Sequence, residues 1–287
     1  MKTPGIMRSL LYVPGQNDKL VSKAVVGAAD VIVLDLEDAV PASSKPEARQ
    51  ALAGHCERIR AAGKQSAVRV NAPDELLALD LPAVIDAGCD LLVLPKVESA
   101  KQVQHVAATL ADTEIGIIGL VESPAGLLNA PEIASADARL LALSIGTEDL
   151  SFDMGMTPCW DSLLVPTMQV NIACKAAGIE LLGYVGSIAE FRDIDAFEAS
   201  VSRSLTLGIV GGFAIHPAQI EVLNRLFSPD AADVAQAQRI VAAFEQAKRD
   251  HLGVAAVDGK MIDLPVALRA ERLLARQALV TGKQDKP

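Results

Sequence analysis

Eight short apolar runs, separated by stretches of helical periodicity, predict an α/β chain folded as a (β/α)8 barrel with a C-terminal helical lid extension. Three observations carry that reading. The runs are continuous rather than alternating, as strands buried on both faces are. The chain is 51% hydrophobic but only 3% aromatic, so its apolar mass is mainly Ala, Val, Leu and Ile. Its 287 residues suit one barrel plus a remainder, since that fold uses about 250. The barrel is expected over residues 1–228 and the extension over 229–287.

The first strand is expected at 9–13 (SLLYV), where it meets the Pro14-Gly15 turn. The β-branched run 31–36 (VIVLDL) is the second. Then come 67–70 (AVRV), 91–94 (LLVL), 115–121 (IGIIGLV), 140–145 (LLALSI), 181–185 (LLGYV) and 213–215 (FAI). Helices are expected between them. One covers 46–60 behind a Ser43-Ser44 cap, another 79–87 up to Gly88, and a third 99–110 from a cap at Ser99. Two more cover 163–177 up to Gly178 and 194–207 up to Gly208. An open doubly wound sheet shows the same alternation. No strand here is followed by a GxGxxG turn, however, and the glycines from Gly208 to Gly212 precede a strand at the wrong spacing. The barrel is therefore preferred. Beyond it, 229–250 reads as a long Ala-rich helix, 253–262 as a stretch of Gly and small apolar residues, and 265–279 as a second helix.

Charge and cysteine content exclude several classes. Lys and Arg total 26 against 36 Asp and Glu, a formal charge of −10. No basic block offsets that field, so nucleic acid is not an expected partner. No apolar run reaches the ~18 residues of a membrane span, and the N-terminal segment is too short in apolar residues for a signal peptide. Cys56, Cys89, Cys159 and Cys174 lack CxxC spacing and read as buried free thiols of a cytoplasmic protein. His55 and His105 fall on helices and are expected in solvent, and His251 at the end of a tail helix. His216, after the eighth strand, is open to two readings: acid/base, or a hydrogen bond that fixes its loop.

Chemically competent residues gather where strands end, on the face that carries the active site of such barrels. Strand two runs into Asp35, Glu37 and Asp38; strand three holds Arg69 and leads to Asn71; strand four leads to Lys96. Strand five delivers Glu122, and strand six is followed by Glu148 and Asp149. A single carboxylate there often only caps the next helix, but five consecutive strands end this way. Glu122 and Asp149 suit a shared hard cation such as Mg²⁺, with open positions for a 2-keto or 2-hydroxy acid. Arg69 suits a carboxylate or an enolate oxygen. Together they suit carbon–carbon bond chemistry through an enolate. Lys96, the one lysine at a strand end, reads as an ion-pair partner rather than a Schiff-base residue.

At these residues the chain resembles the citrate lyase β-subunit-like acyl-CoA lyases of the HpcH/HpaI aldolase/citrate lyase family, which includes malyl-CoA and citramalyl-CoA lyases. The matching stretches are RSLLYVPG at 8–15, DLEDAV at 35–40, VRVNAP at 68–73 and LPKVES at 94–99. VESPAG at 121–126, GTEDL at 146–150, AIHPAQ at 214–219 and GKMIDLP at 259–265 continue the series in family order. The resemblance implies a TIM barrel whose Glu122 and Asp149 bind Mg²⁺ and whose Arg69 contacts the acyl carboxylate or thioester oxygen. It implies a homotrimer in which the C-terminal segment closes over a neighbour's site and brings Asp263 there as acid/base. Arg8 and Lys19 match positions near the coenzyme A phosphates, and Glu37 and Asp38 would orient Arg69 or metal-bound water.

The implied reaction is reversible, Mg²⁺-dependent cleavage of a 3-hydroxy-acyl-CoA of citramalyl, malyl or citryl type into acetyl-CoA and a 2-keto acid. A CoA-independent 2-keto acid aldolase is one alternative. A citrate lyase β subunit acting on an acyl-carrier-protein thioester is another. The chain departs from the family pattern in the second half of the barrel. It has Gly212 where members often carry a lysine, Gly183 near an expected aspartate, and no arginine-serine pair after the sixth strand.

Overall fold

A computed structural model of the protein describes residues 5–189 and 191–284. The first strand, β1 (Ser9–Pro14), is followed by α1 (Asp18–Val26), β2 (Val31–Asp35), α2 (Lys45–Ala61), β3 (Gln65–Arg69) and α3 (Asp74–Ala87). Next come β4 (Leu91–Leu94), α4 (Ala100–Thr109), β5 (Gly116–Val121), and the short helices α5 (Pro124–Leu128) and α6 (Ala130–Ala134). Then follow β6 (Leu140–Ile145), α7 (Thr147–Met154), α8 (Trp160–Ala177), β7 (Glu180–Leu182), α9 (Ile194–Leu205), β8 (Gly212–Ala214) and α10 (Pro217–Leu226). The eight strands are all parallel, in the order β7-β6-β5-β4-β3-β2-β1-β8. Two backbone bonds join the outer strands: Gly183 N–H donates to Gly211 O (2.7 Å) and Val210 N–H to Leu181 O (3.2 Å). The sheet thus closes into the expected TIM barrel.

The closure explains why the strands do not alternate in polarity. β2, β4 and β5 are buried at every position. Val31, Val33, Leu91, Val93, Ile118 and Leu120 point inward and pack with Leu10 and Phe213 in the barrel interior. Their neighbours Ile32, Leu34, Leu92 and Ile117, all fully buried, point the other way, toward the helices. Each such side chain contributes roughly 1.5–3 kcal/mol relative to exposure.

Several sequence expectations change in detail. β7 ends at Leu182 because Gly183 adopts φ +119°, a conformation L side chains rarely take. α1 was not evident from periodicity. It starts under Asn17, whose side-chain oxygen accepts the Leu20 N–H at 3.1 Å. Ser44 precedes α2 but makes no side-chain cap. His55 is buried, not solvated: α2 turns it inward, and Arg58 Nη2 lies 2.7 Å from its Nδ1. Burial holds its pKa below the ordinary value. Cys56, Cys89 and Cys174 are buried free thiols, but Cys159 is exposed at the start of α8.

The chain divides into two compact units, one ending at Arg225 and the other beginning at Leu226. The second contains α11 (Ala231–Arg249), β9 (Ala255–Val257), β10 (Lys260–Ile262) and α12 (Leu264–Gln284). It is therefore not purely helical. β9 and β10 form an antiparallel hairpin around Asp258 and Gly259, both at positive φ (48° and 73°), as a two-residue Asp-Gly turn requires. Phe244, Ile262 and Ala267 form the core of this unit. Among the described residues no helix is long and apolar enough to cross a membrane.

Candidate active site at the carboxyl ends of the strands

Parallel register sets Asp35, the last residue of β2, beside Arg69, the last of β3. Arg69 Nε donates to Asp35 Oδ1 and Nη2 to Oδ2, both at 2.7 Å. The same carboxylate accepts the backbone N–H of Glu37 and of Ala39, each at 3.0 Å, so it also shapes the turn after β2. Arg69 Nη1 lies 3.0 Å from Glu37 Oε2 and 3.5 Å from Asp38 Oδ2, and the guanidinium sits 4.8 Å from the centre of the Tyr12 ring. Asp35, not Asp38, is the principal anchor of Arg69. Asp38 is 61% exposed and at the limit of contact.

A buried network holds this corner from behind. Lys45 Nζ donates to Leu36 O, Glu37 O and Asn71 Oδ1. The Asn71 backbone and side-chain N–H groups donate to Asp80, which also accepts from Arg49 Nε at 2.6 Å. Lys96 Nζ pairs with Glu37 Oε1 at 3.1 Å, the ion-pair role expected for it. Burial raises the Glu37 carboxyl above the ordinary range, against the pull of Arg69 and Lys96.

Lys96 takes φ +51°, and its N–H donates to Glu122 Oε2 at 2.7 Å. Glu122 is 6% exposed. Burial pushes its carboxyl up to about 7, the Lys96 N–H opposes this, and the like charges of Glu37 and Asp149 add to it. Gly146 follows β6 so closely packed on Glu122 that a Cβ there would overlap the carboxylate, reaching Cγ at 2.6 Å. Asp149, in the first turn of α7, lines the same cavity.

The two carboxylates are an all-oxygen donor pair, suited to a hard cation that keeps solvent or substrate oxygens in its other positions. A carboxylate this buried, bonded to one backbone N–H and facing the like charges of Glu37 and Asp149, is what a cation would relieve. Among the described residues no group of three or more His, Cys, Asp or Glu gathers as a metal cluster.

The cavity over these residues measures about 420 Å³. It is also lined by the aromatic and aliphatic side chains of Tyr12, Leu120, Tyr184, Ile188, Phe213 and Ile215. The chain has only two tyrosines, and both are here. Tyr12 stacks on Phe213 at 5.1 Å, and Tyr184 donates to Phe213 O at 3.3 Å. Burial raises both phenols far above the ordinary range. The departures at Gly183 and Gly212 meet at Tyr184. Gly183 precedes it, and a Cβ on Gly212 would come within 3.0 Å of its ring.

The remaining expected residues are dispersed. Arg8 precedes β1 and so belongs to the opposite, amino-terminal rim. Its backbone N–H and its guanidinium bind the buried Asp30 at 2.9 Å, which corrects its expected place near a coenzyme phosphate. Lys19 is exposed in the first turn of α1, on the mouth side. His216 Nδ1 accepts the Ala218 N–H at 3.2 Å and its ring stacks on Phe191, so it fixes its loop. In the second unit, Asp263 caps α12 by accepting the Val266 N–H at 3.2 Å.

The profile of the family described as HpcH/HpaI aldolase/citrate lyase matches residues 8–217. A (3S)-malyl-CoA thioesterase of Cereibacter sphaeroides is 37% identical over 281 residues, with 96% of each chain covered. The citrate lyase subunit beta of Leuconostoc mesenteroides subsp. cremoris is 32% identical, covering 96% of this chain and 94% of that one. Among solved structures, CitE from Mycobacterium tuberculosis in complex with magnesium, acetoacetate and coenzyme A superposes with TM-score 0.76. It is 30% identical and covers 95% of this chain and 98% of that one.

Proposed function

The chain belongs to the HpcH/HpaI aldolase/citrate lyase family, and from that premise we propose that it is a Mg²⁺-dependent carbon–carbon lyase acting on a 3-hydroxy-acyl-CoA. The observation that carries this reading is the juxtaposition of the Glu122 and Asp149 carboxylates with the clamped guanidinium of Arg69 around one cavity. The magnesium and coenzyme A bound by CitE, at similar fold and sequence, support it.

Glu122 and Asp149 would hold the cation, which would supply Lewis-acid polarisation of a hydroxy or keto acid. Arg69, fixed on three sides by carboxylates, presents its charge to the thioester oxygen. The 3-hydroxyl gives its proton to a carboxylate of the mouth, and the bond between C2 and C3 breaks. The 2-keto acid and the acetyl-CoA enolate separate, and Arg69 stabilises the enolate oxygen by charge-assisted hydrogen bonding. Asp263, brought to the site by a neighbouring copy of the chain, then protonates the enolate carbon. Lys19 serves the coenzyme phosphates, and the protein works as a homotrimer. Run backwards, the same groups condense acetyl-CoA with the keto acid.

A second reading rests on the 37% identity to a thioesterase: hydrolysis of the acyl-CoA without cleavage of carbon from carbon. One experiment separates the two. Malyl-, citramalyl- and citryl-CoA are supplied with Mg²⁺ or with EDTA. Acetyl-CoA and a keto acid are expected in the magnesium arm. Free coenzyme A and an intact hydroxy acid would replace the lyase by the thioesterase. Turnover undiminished in EDTA would remove the metal assignment.

A further inference from the structure

We infer that Tyr12 is a further catalytic residue: its hydroxyl donates a hydrogen bond to the substrate oxygen that faces Arg69, the oxygen on which negative charge develops. This inference rests on the reading above, in which a thioester is cleaved through an enolate.

Both tyrosines of the chain line the cavity, but their hydroxyls differ in what they meet. That of Tyr184 is bound to Phe213 O at 3.3 Å. That of Tyr12 meets no acceptor among the described residues. A phenol in such surroundings usually has a partner, and the neighbouring carboxylates are engaged elsewhere. Asp35 accepts from Arg69 with both oxygens and from two backbone N–H groups. Glu37 faces Arg69 and Lys96, and Glu122 accepts the Lys96 N–H. The acceptor left for Tyr12 is a molecule in the cavity.

The ring is held so that this donor has a fixed place. Tyr12 lies within β1, opposite Val33 of β2. It stacks on Phe213 with centroids 5.1 Å and planes 18° apart, and the Arg69 guanidinium lies 4.8 Å from its centre. Tyr12 and Arg69 thus present a neutral and a charged donor to one space. Burial, opposed by Arg69 and reinforced by Glu122, Asp35 and Glu37, holds the phenol far above its ordinary range. It therefore keeps its proton and donates without dissociating. A fixed donor beside a developing oxyanion stabilises the transition state more than the ground state.

Tyr12→Phe removes the hydroxyl and keeps the ring, so the contacts with Phe213 and Arg69 persist. The full-length variant and the wild type are assayed with Mg²⁺ on malyl-, citramalyl- and citryl-CoA. On the thioester that the wild type cleaves, kcat is expected to fall about a hundredfold while KM stays within about threefold. A kcat within about threefold of wild type would overturn the inference and leave the lyase in place. A second readout needs no turnover. Because the chain has only two tyrosines, labelling with 3-fluorotyrosine gives two fluorine resonances, assigned with Tyr12→Phe or Tyr184→Phe. The Tyr12 resonance is expected to shift when acetyl-CoA is added with Mg²⁺, and an unmoved resonance would overturn the inference. A wild type inactive on every thioester would instead remove the lyase reading, and this inference with it.

Discussion

Asp35 holds Arg69 by two parallel hydrogen bonds of 2.7 Å, one to each carboxylate oxygen, with the aspartate side chain 1% and the arginine 13% exposed. A fork of this kind fixes the plane of the guanidinium as well as its position. Asp35→Ala leaves Arg69 half-buried with its best partner gone. Removing one member of a buried pair typically costs about 3–5 kcal/mol. Urea denaturation should show a loss of that order, and kcat/KM should fall more than a hundredfold. Asp38→Ala, at an exposed carboxylate 3.5 Å away, should change stability by less than about 0.5 kcal/mol. Equal effects of the two substitutions would refute the ranking.

The barrel was legible because β2, β4 and β5 are apolar on both faces, a pattern visible in one dimension. So were Arg69, Glu122 and Asp149, each a charge at the end of such a run. The dominance of Asp35 over Glu37 and Asp38 was not, because it depends on the pairing of β2 with β3, which spacing along the chain does not reveal. The few aromatic residues were not legible as part of the site: Tyr12, Tyr184 and Phe213 all line the cavity, and a composition says nothing about where its rare residues stand. Two further features are legible in the sequence. Arg8 precedes the first strand and so had to fall on the amino-terminal rim. The Asp258-Gly259 pair between small apolar runs is a hairpin signal.

Glu122 links metal binding to pH. Burial first, then the charges of Glu37 and Asp149, hold its carboxyl up to about 7 in the metal-free chain. Cation and proton compete for it, so Mg²⁺ affinity should fall close to tenfold per pH unit below about 7. Folding responds with a definite sign. The folded value lies above the unfolded one of ~4.3, so the folded chain binds more protons between the two. The contribution to stability is complete below the unfolded value and lost as pH rises through about 7. In melting experiments without metal, the wild type should lose stability relative to Glu122→Gln between pH 5 and 8. A constant difference would show that Glu122 titrates normally.

Gly146, which follows β6, packs against that carboxylate. Its φ of −81° is open to any residue, so Gly146→Ala acts through space rather than backbone strain. The added carbon would meet Glu122 Cγ at 2.6 Å and Cδ at 2.8 Å. Overpacking of this kind typically costs about 1–3 kcal/mol, and here its relief displaces the proposed metal ligand. Magnesium titration followed by calorimetry should show affinity reduced at least tenfold in a protein that still folds. Unchanged affinity would mean that the cation is not held by Glu122.

Asp263 has a structural task that can be separated from its proposed proton transfer. Its Oδ1 accepts the Val266 N–H at 3.2 Å and so caps α12. Asparagine caps a helix about as well as aspartate, whereas alanine there costs about 1 kcal/mol. Asp263→Asn should therefore keep the melting temperature, and Asp263→Ala should lower it by a few degrees. The proton task is lost in both. Exchange of the acetyl-CoA methyl hydrogens with deuterated solvent, followed by NMR in the presence of keto acid, should stop in either variant. Keto acid binding should persist in both. Exchange that survives in Asp263→Asn would leave Asp263 as a cap alone and move the acid/base role to another residue.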